Sequence, residues 1–228
     1  MNNCIMRVLL FLVICCLGAL ETHGQIVDQK EIDSLGIETF FYQRKIDETI
    51  LKRIKGKSYP KDCPVPIDEL RYLNVLHYNA EEEIKVGELI CHQSISDDLL
   101  IIFRKLYDHK YPIERMVLID EFDADDEASM AANNSSAFNF RYVSGTTRLS
   151  KHAKGLAVDV NPRYNPYVRR RNGKTMVEPA GSEKYADRTQ KFDYKIEKDD
   201  LCCRLFKQYG FRWGGDWKNS KDYQHFEK

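Results

Sequence analysis

The sequence predicts an α+β fold, a single domain with a small antiparallel sheet flanked by helices. Three observations support this. Apolar residues fall at helical spacings in the first quarter and near the C-terminus, short extended runs alternate with turn residues after Asn133, and no repeat or low-complexity linker divides the chain. Ile32, Leu35, Phe40, Phe41, Ile46, Ile50 and Ile54 predict helices up to Gly56, and the stretch from Gly56 to Pro66 breaks that pattern. Leu70 to Tyr78 reads as a strand. Ser96-Asp97-Asp98 reads as the cap of a helix carrying Leu99, Leu100, Ile102, Phe103 and Leu106. Pro112 followed by the apolar run Met116 to Ile119 suggests a further strand. Extended segments follow at Ala137 to Tyr142, Gly155 to Val160 and Phe211 to Gly215. Between Lys198 and Tyr209, the stripe Leu201, Leu205, Phe206 and Tyr209 predicts a helix closed by Gly210.

The 228 residues carry 35 Lys+Arg against 35 Asp+Glu and are 43% hydrophobic. That composition excludes disorder as the main state. A formal charge of zero gives no overall field to attract nucleic acid or an anionic membrane.

Arg7, the apolar run Val8 to Leu20 and the small-residue stretch Thr22-His23-Gly24 read as a secretory signal peptide over residues 1–24, with Gln25 as the new N-terminus. The apolar run is 13 residues long, where a spanning helix needs roughly 20. A retained anchor is therefore the weaker reading, as is lipidation at Cys15 or Cys16, where Ile14 and Cys15 stand in place of the small residue a lipobox needs. Cleavage leaves Cys63, Cys91, Cys202 and Cys203, which read as buried thiols with at most one optional bridge.

His77, His92, His109, His152 and His225 then remain as possible metal ligands. His152 opens a run in which Leu156, Val158 and Val160 share one face of an extended segment and Ala157 and Asp159 the other. A carboxylate facing a cavity is costly unless a positive or hydrogen-bonding partner meets it. Two imidazoles and one carboxylate would make a three-ligand zinc site with a position left for water. From spacing alone, His152 reads equally as a loop histidine and His225 as a residue near a chain end.

Ser150 to Asp159 resembles the S-x-H-x-x-G-x-A-x-D motif of the VanY-like zinc peptidases of peptidoglycan, the D-alanyl-D-alanine carboxypeptidases and L-alanyl-D-glutamate endopeptidases. Trp213-Gly214-Gly215-Asp216-Trp217 and Asp222-Tyr223-Gln224-His225-Phe226 are similar to their W-G-G-x-W and D-x-x-H-F segments, and the likeness is firm over about residues 115–227. The resemblance implies Zn2+ held by His152, Asp159 and His225, Asp222 as general base, and Arg141 as a catalytic cation near the substrate, with Ser150 and Trp213 also contacting it. It further implies a fold like that of these peptidases and of the related Hedgehog amino-terminal domain. A zinc peptidase core over residues 115–228 would be packed against an extension over residues 25–114. The implied protein is an exported, monomeric metallopeptidase in the periplasm or outside the cell, acting on peptidoglycan stem peptides as a carboxypeptidase or endopeptidase. The alternative is a non-catalytic wall-binding module that keeps the fold. Lys154 and Leu149 depart from the aromatic residues common at their positions and bear on substrate preference.

Asp222 and His225 are three apart, so a turn or bulge must intervene for both to reach one site. Glu227, on the face of His225, is the fallback base, followed by Asp216. In Phe138 to Arg141, alternation puts the two phenylalanines on one face and Asn139 and Arg141 on the other. The Arg141 guanidinium is expected in the cavity shared with Asp159, against the alternative of a surface salt bridge to an aspartate. Plain readings suit the rest. His77, His92 and His109 are surface or hydrogen-bonded, Trp213 and Trp217 serve as core residues as readily as sugar platforms, the acidic cluster Asp123, Asp125, Asp126 and Glu127 is a solvated loop, and so is Arg169-Arg170-Arg171.

Overall fold

Capping aspartates set the first two helices. Asp28 accepts from the Glu31 amide to open α1 (Gln29–Leu35), and Asp47 accepts from the Ile50 amide to open α2 (Glu48–Ile54). The computed structural model describes residues 24–143 and 146–228, so the predicted signal segment lies outside the described residues except for Gly24. Between the two helices the chain forms β1 (Tyr42–Lys45) rather than more helix. It pairs antiparallel with β2 (Leu70–Tyr78), which in turn pairs along its whole length with β3 (Ile84–His92). Strand β1 is a largely exposed edge with no apolar alternation to betray it, and the apolar pattern of the unbroken strand β3 is interrupted in sequence by Gly87 and Glu88. Glu88 is partly buried because Arg53 binds both its oxygens, at 2.7 and 2.8 Å, and Tyr72 donates to it at 2.7 Å.

Helix α3 (Gln93–Asp108) starts ahead of the expected Ser96 cap, because His92 Nδ1 accepts from the Ser94 amide. Its buried face contains Leu99, Ile102, Phe103 and Leu106 as expected. The run Met116 to Ile119 is extended but joins no ladder. The side chain of Asn134 binds both the amide and the carbonyl of Val117, at 2.8 and 3.0 Å, taking the place of a partner strand, and a 3-10 turn follows at Ile119–Phe122. The acidic cluster is not a solvated loop. Asp125 caps α4 (Asp126–Ala131), whose first turn holds Asp126 and Glu127, where carboxylates favour the helix dipole.

The remaining elements are β4 (Ala157–Asp159), β5 (Tyr167–Arg171), β6 (Lys174–Glu178), α5 (Leu201–Gln208), β7 (Arg212–Trp213), β8 (Ser220–Asp222) and β9 (His225–Glu227). The arginine run is therefore strand, not loop. Asn172-Gly173, at φ 52° and 75°, closes the β5–β6 hairpin in the left-handed conformation that such two-residue turns require. Helix α5 starts later than Lys198 and ends with Gly210 at φ 84°, as expected. The fold is α+β, but its strands form three small antiparallel sheets, ordered β1-β2-β3, β4-β9-β7 and β6-β5-β8, in place of one.

One main core draws on both sides of residue 114, with Leu73, Leu89, Leu99 and Phe103 packing with Val158, Val160, Phe206 and Phe226. Phe226 stacks on Phe206 at 4.2 Å between ring centroids, and Phe103 meets the same ring edge-on at 6.2 Å. Cys63, Cys91, Cys202 and Cys203 are free thiols. No helix among the described residues is long and apolar enough to cross a membrane.

His77 is buried and hydrogen-bonds through Nδ1 to the Ile113 carbonyl at 2.7 Å; burial lowers its pKa to about 4. The unfolded chain therefore binds a proton that the folded chain refuses between about pH 6.5 and 4, and stability falls as pH falls through that window. The shift corresponds to a loss of about 3 kcal/mol by pH 4. His77→Asn keeps a donor for Ile113 and cannot titrate. Denaturation midpoints measured from pH 7 to 4 are expected to fall less in this variant than in the parent, and parallel curves would contradict the assignment.

Candidate metal centre

The register of β4 against β9 builds the site. Asp159 pairs with His225 and Val158 with Phe226, so each pair shares a face: Val158 and Phe226 enter the core, and Asp159 and His225 turn the other way. Ser136 bridges Asp159 on its other side through two backbone hydrogen bonds, 3.0 and 2.8 Å. That fixes the next carbonyl, Ala137, which receives His152 Nδ1 at 2.6 Å. His152 itself lies in the 3-10 turn His152–Lys154, braced by Ser150 Oγ, which accepts from the Ala153 amide at 3.0 Å. The turn closes at Gly155, at φ 66°, where any β-carbon would stand 2.6 Å from the His92 amide. A glycine is thus required by both conformation and space.

His152, Asp159 and His225 are all buried, and one ligand atom from each lies within 4.8 Å of the others. His152 Nε2 is 3.1 Å from His225 Nδ1 and 3.2 Å from Asp159 Oδ2, and His225 Nδ1 is 3.0 Å from Asp159 Oδ1. Ligands at roughly 2.0–2.1 Å from a tetrahedral zinc are about 3.3 Å apart, so the triad fits such an ion. The donors fit as well. With Nδ1–H of His152 given to Ala137 and Nε2–H of His225 directed at Glu227, 3.5 Å away, the remaining imidazole nitrogens face one another and a carboxylate. Two nitrogens and one oxygen suit zinc better than calcium or magnesium.

Electrostatics point the same way. Burial works against ionisation of Asp159, but the two imidazoles outweigh it and hold the carboxyl well below the usual range. Burial likewise opposes charge on His225, yet the hydrogen bonds to Asp159 and Glu227 raise its pKa to about 10. The centre carries a fixed negative charge and a proton that a cation can replace.

The predicted turn between Asp222 and His225 is present as a bend at Tyr223 and Gln224, which carries the chain from the sheet of β8 to that of β9. Asp222 is brought to the site by it. Its Oδ1 is buried without a hydrogen-bond partner among the described residues. Burial raises its pKa to about 6, with His225 opposing and the Asp159 charge reinforcing that shift. Gly214 makes the approach possible, since a β-carbon there would lie 2.6 Å from the Asp222 carbonyl oxygen and 2.7 Å from its Cβ.

Other candidates are placed differently. Glu227 is paired with Arg212 at 2.8 Å and with His225, and Asp216 with Lys207 at 2.7 Å. Ser150 is buried and braces the His152 turn, and Trp213 is a buried core residue whose indole donates to the Tyr223 carbonyl at 2.9 Å. Trp217, half-buried with its ring centroid 5.4 Å from that of His225, is the aromatic wall that faces the site. Phe138 and Phe140 join one apolar cluster, as alternation requires, while Asn139 and Arg141 both reach Asp126. The guanidinium is thus not free of partners. Arg141 is paired through Nε with Asp126, and its terminal nitrogens take no part in that pair. Asp126 had no signal in the sequence beyond its place in an acidic run.

Two histidines and a carboxylate within reach of one another are a donor set that could hold a metal ion, and the Asp222 Oδ1 atom near them has no hydrogen-bond partner among the described residues. Residues 144–228, the stretch that contains both motifs, match the D-alanyl-D-alanine carboxypeptidase family, which bears out the VanY-like resemblance and supports a peptidase related to peptidoglycan. No curated protein and no solved structure gives a match.

Because His225 holds a proton at neutral pH, its Nδ1 must lose that proton to bind a metal. Zinc titration by calorimetry in buffers of different ionisation enthalpy is expected to release about one proton per zinc at pH 7. His225→Ala should bind more weakly and release less. Equal affinity and equal proton release in that variant would remove His225 from the ligand set.

Proposed function

We propose that the chain is an exported, monomeric zinc metallopeptidase that hydrolyses peptide stems of peptidoglycan, as a D-alanyl-D-alanine carboxypeptidase or an endopeptidase within the stem. The observation that carries this reading is the buried triad His152, Asp159 and His225, with Asp222 near enough to feel the charges of Asp159 and His225 and its Oδ1 left without a hydrogen-bond partner among the described residues. A wall-binding module without catalysis would have no use for a buried carboxylate oxygen left without a partner, whose desolvation is a standing cost.

When bound, zinc would acidify a water and polarise the scissile carbonyl. His152 and Asp159 hold the substrate end of the site in a fixed frame, since the first is tied to Ala137 and the second to Ser136 by the backbone. Asp222 Oδ1 takes a proton from the attacking water and passes it to the leaving amine nitrogen. Burial raises the Asp222 pKa above the ordinary carboxylate range, which favours a carboxyl that can both take up and return the proton. Arg141, oriented by Asp126, offers its terminal nitrogens to the developing oxyanion or to a substrate carboxylate. Trp217 supplies an apolar wall over His225.

Asp222 must be ionised to act as base, so kcat/KM is expected to rise with pH through an acid limb at or below about 6, because the charge of a bound cation can only lower this pKa. Asp222→Asn is expected to retain one equivalent of zinc and to lose roughly 100-fold or more in turnover of a D-alanyl-D-alanine peptide. Loss of zinc together with activity would make Asp222 a ligand. Full activity would exclude it as the base, and an absence of stem hydrolysis by the zinc-loaded parent would exclude the proposed reaction.

A further inference from the structure

We infer that the outer face of the β5–β6 hairpin is an extended docking strip for a polymeric, carboxylate-bearing peptide substrate, continuous with the hydrolytic site. The inference rests on the peptidase reading above and adds to it the part of the substrate beyond the scissile bond.

The strand register carries it. Tyr167 of β5 pairs with Asp222 of β8 and with Glu178 of β6, so these three side chains share one face of the small sheet. Two residues along, Arg169 pairs with Ser220 and Met176, and the next rung of the same face carries Lys174. Successive side chains on one face of a strand are about 7 Å apart. Arg169 and Met176 therefore lie one to two extended substrate residues from the rung that holds Asp222, and Lys174 lies about as far again.

The hairpin also has a defined outside. Val168 and Val177, on the opposite face, are half-buried, and Lys221 on the Val168 rung donates to the Gly215 carbonyl at 3.0 Å. On the strip face Arg169 and Lys174 are exposed, and Met176 retains 46% of its surface between them. No ion pair among the described residues engages Arg169 or Lys174. An exposed methionine flanked by two cations on a strand face that runs into the site suits an extended peptide with apolar side chains and free carboxylates. The acids on this face among the described residues, Asp222 and Glu178, both lie on the rung at the site end. On this register a substrate must extend past the rung of Asp222 to meet Arg169 and Lys174, so long substrates feel the strip most.

The test compares Arg169→Glu/Lys174→Glu with a control of the same charge change at two exposed lysines of the opposite end of the chain, Lys52→Glu/Lys55→Glu. Two readouts are taken on the zinc-loaded full chain: co-sedimentation with purified peptidoglycan sacculi, and hydrolysis of a short D-alanyl-D-alanine peptide. The strip variant is expected to bind sacculi roughly tenfold more weakly and to lose most of the salt dependence of that binding, while the short peptide is cleaved at the parental rate. The control is expected to match the parent in both. Sacculus binding that is absent in the parent, unchanged in the strip variant, or reduced equally in the control would overturn the strip. A parent that sediments with sacculi in a strip-dependent manner yet cleaves no stem peptide would leave the strip standing and overturn the peptidase reading.

Discussion

Antiparallel pairing of two three-residue strands, Ala157–Asp159 and His225–Glu227, is the constraint on which the rest of the structure depends. One rung, Val158 with Phe226, is driven into the core, where Phe226 stacks on Phe206. The adjacent rung, Asp159 with His225, must then face the other way. Burial of two apolar side chains thus fixes the position of two polar ones, and a slip of one residue would exchange them. The ligand geometry is set by the hydrophobic effect as much as by any polar contact.

The loops around this pair solve problems of approach. Gly155 lets the His152 turn sit against the end of β3, and Gly214 lets the aromatic segment close on Asp222. The bend at Tyr223 and Gln224 lets Asp222, the proposed base, and His225, a proposed ligand three residues on, lie at one site. Arg141 ends a segment that has backbone hydrogen bonds to β3 and to the turn after α2, through Phe138 to Ile90 and Phe140 to Ser58, and its own carbonyl accepts from the Ser150 amide. The N-terminal half is therefore a support for the site as well as a share of the core. Asp126, at the start of α4, joins that support by holding both Asn139 and Arg141.

Much of this was legible in the residues. The alternation around Asp159, the helix ending at Gly210, strand β2 and the need for a turn before His225 all follow from periodicity and spacing. The triad itself was legible only through the motifs, since its members are 73 residues apart at the widest step, from His152 to His225. What escaped were features decided by tertiary partners. Met116 to Ile119 has the composition of a strand, but the Asn134 side chain takes its hydrogen bonds. The acidic cluster reads as loop until Asp125 is seen as a cap and Asp126 as the partner of Arg141. The β5–β6 hairpin is different, because its Asn172-Gly173 turn was visible in the sequence and the arginines before it drew the reading towards a solvated loop.

The central claim is that the β4–β9 register creates a three-ligand nitrogen and oxygen centre for zinc. X-ray absorption at the zinc edge of the metal-loaded protein tests it most directly. The expected spectrum has two imidazole nitrogens and oxygen ligands at roughly 2.0–2.1 Å and no sulfur. A shell with sulfur at about 2.3 Å, drawn from the free thiols, or one without imidazole scattering, would contradict it.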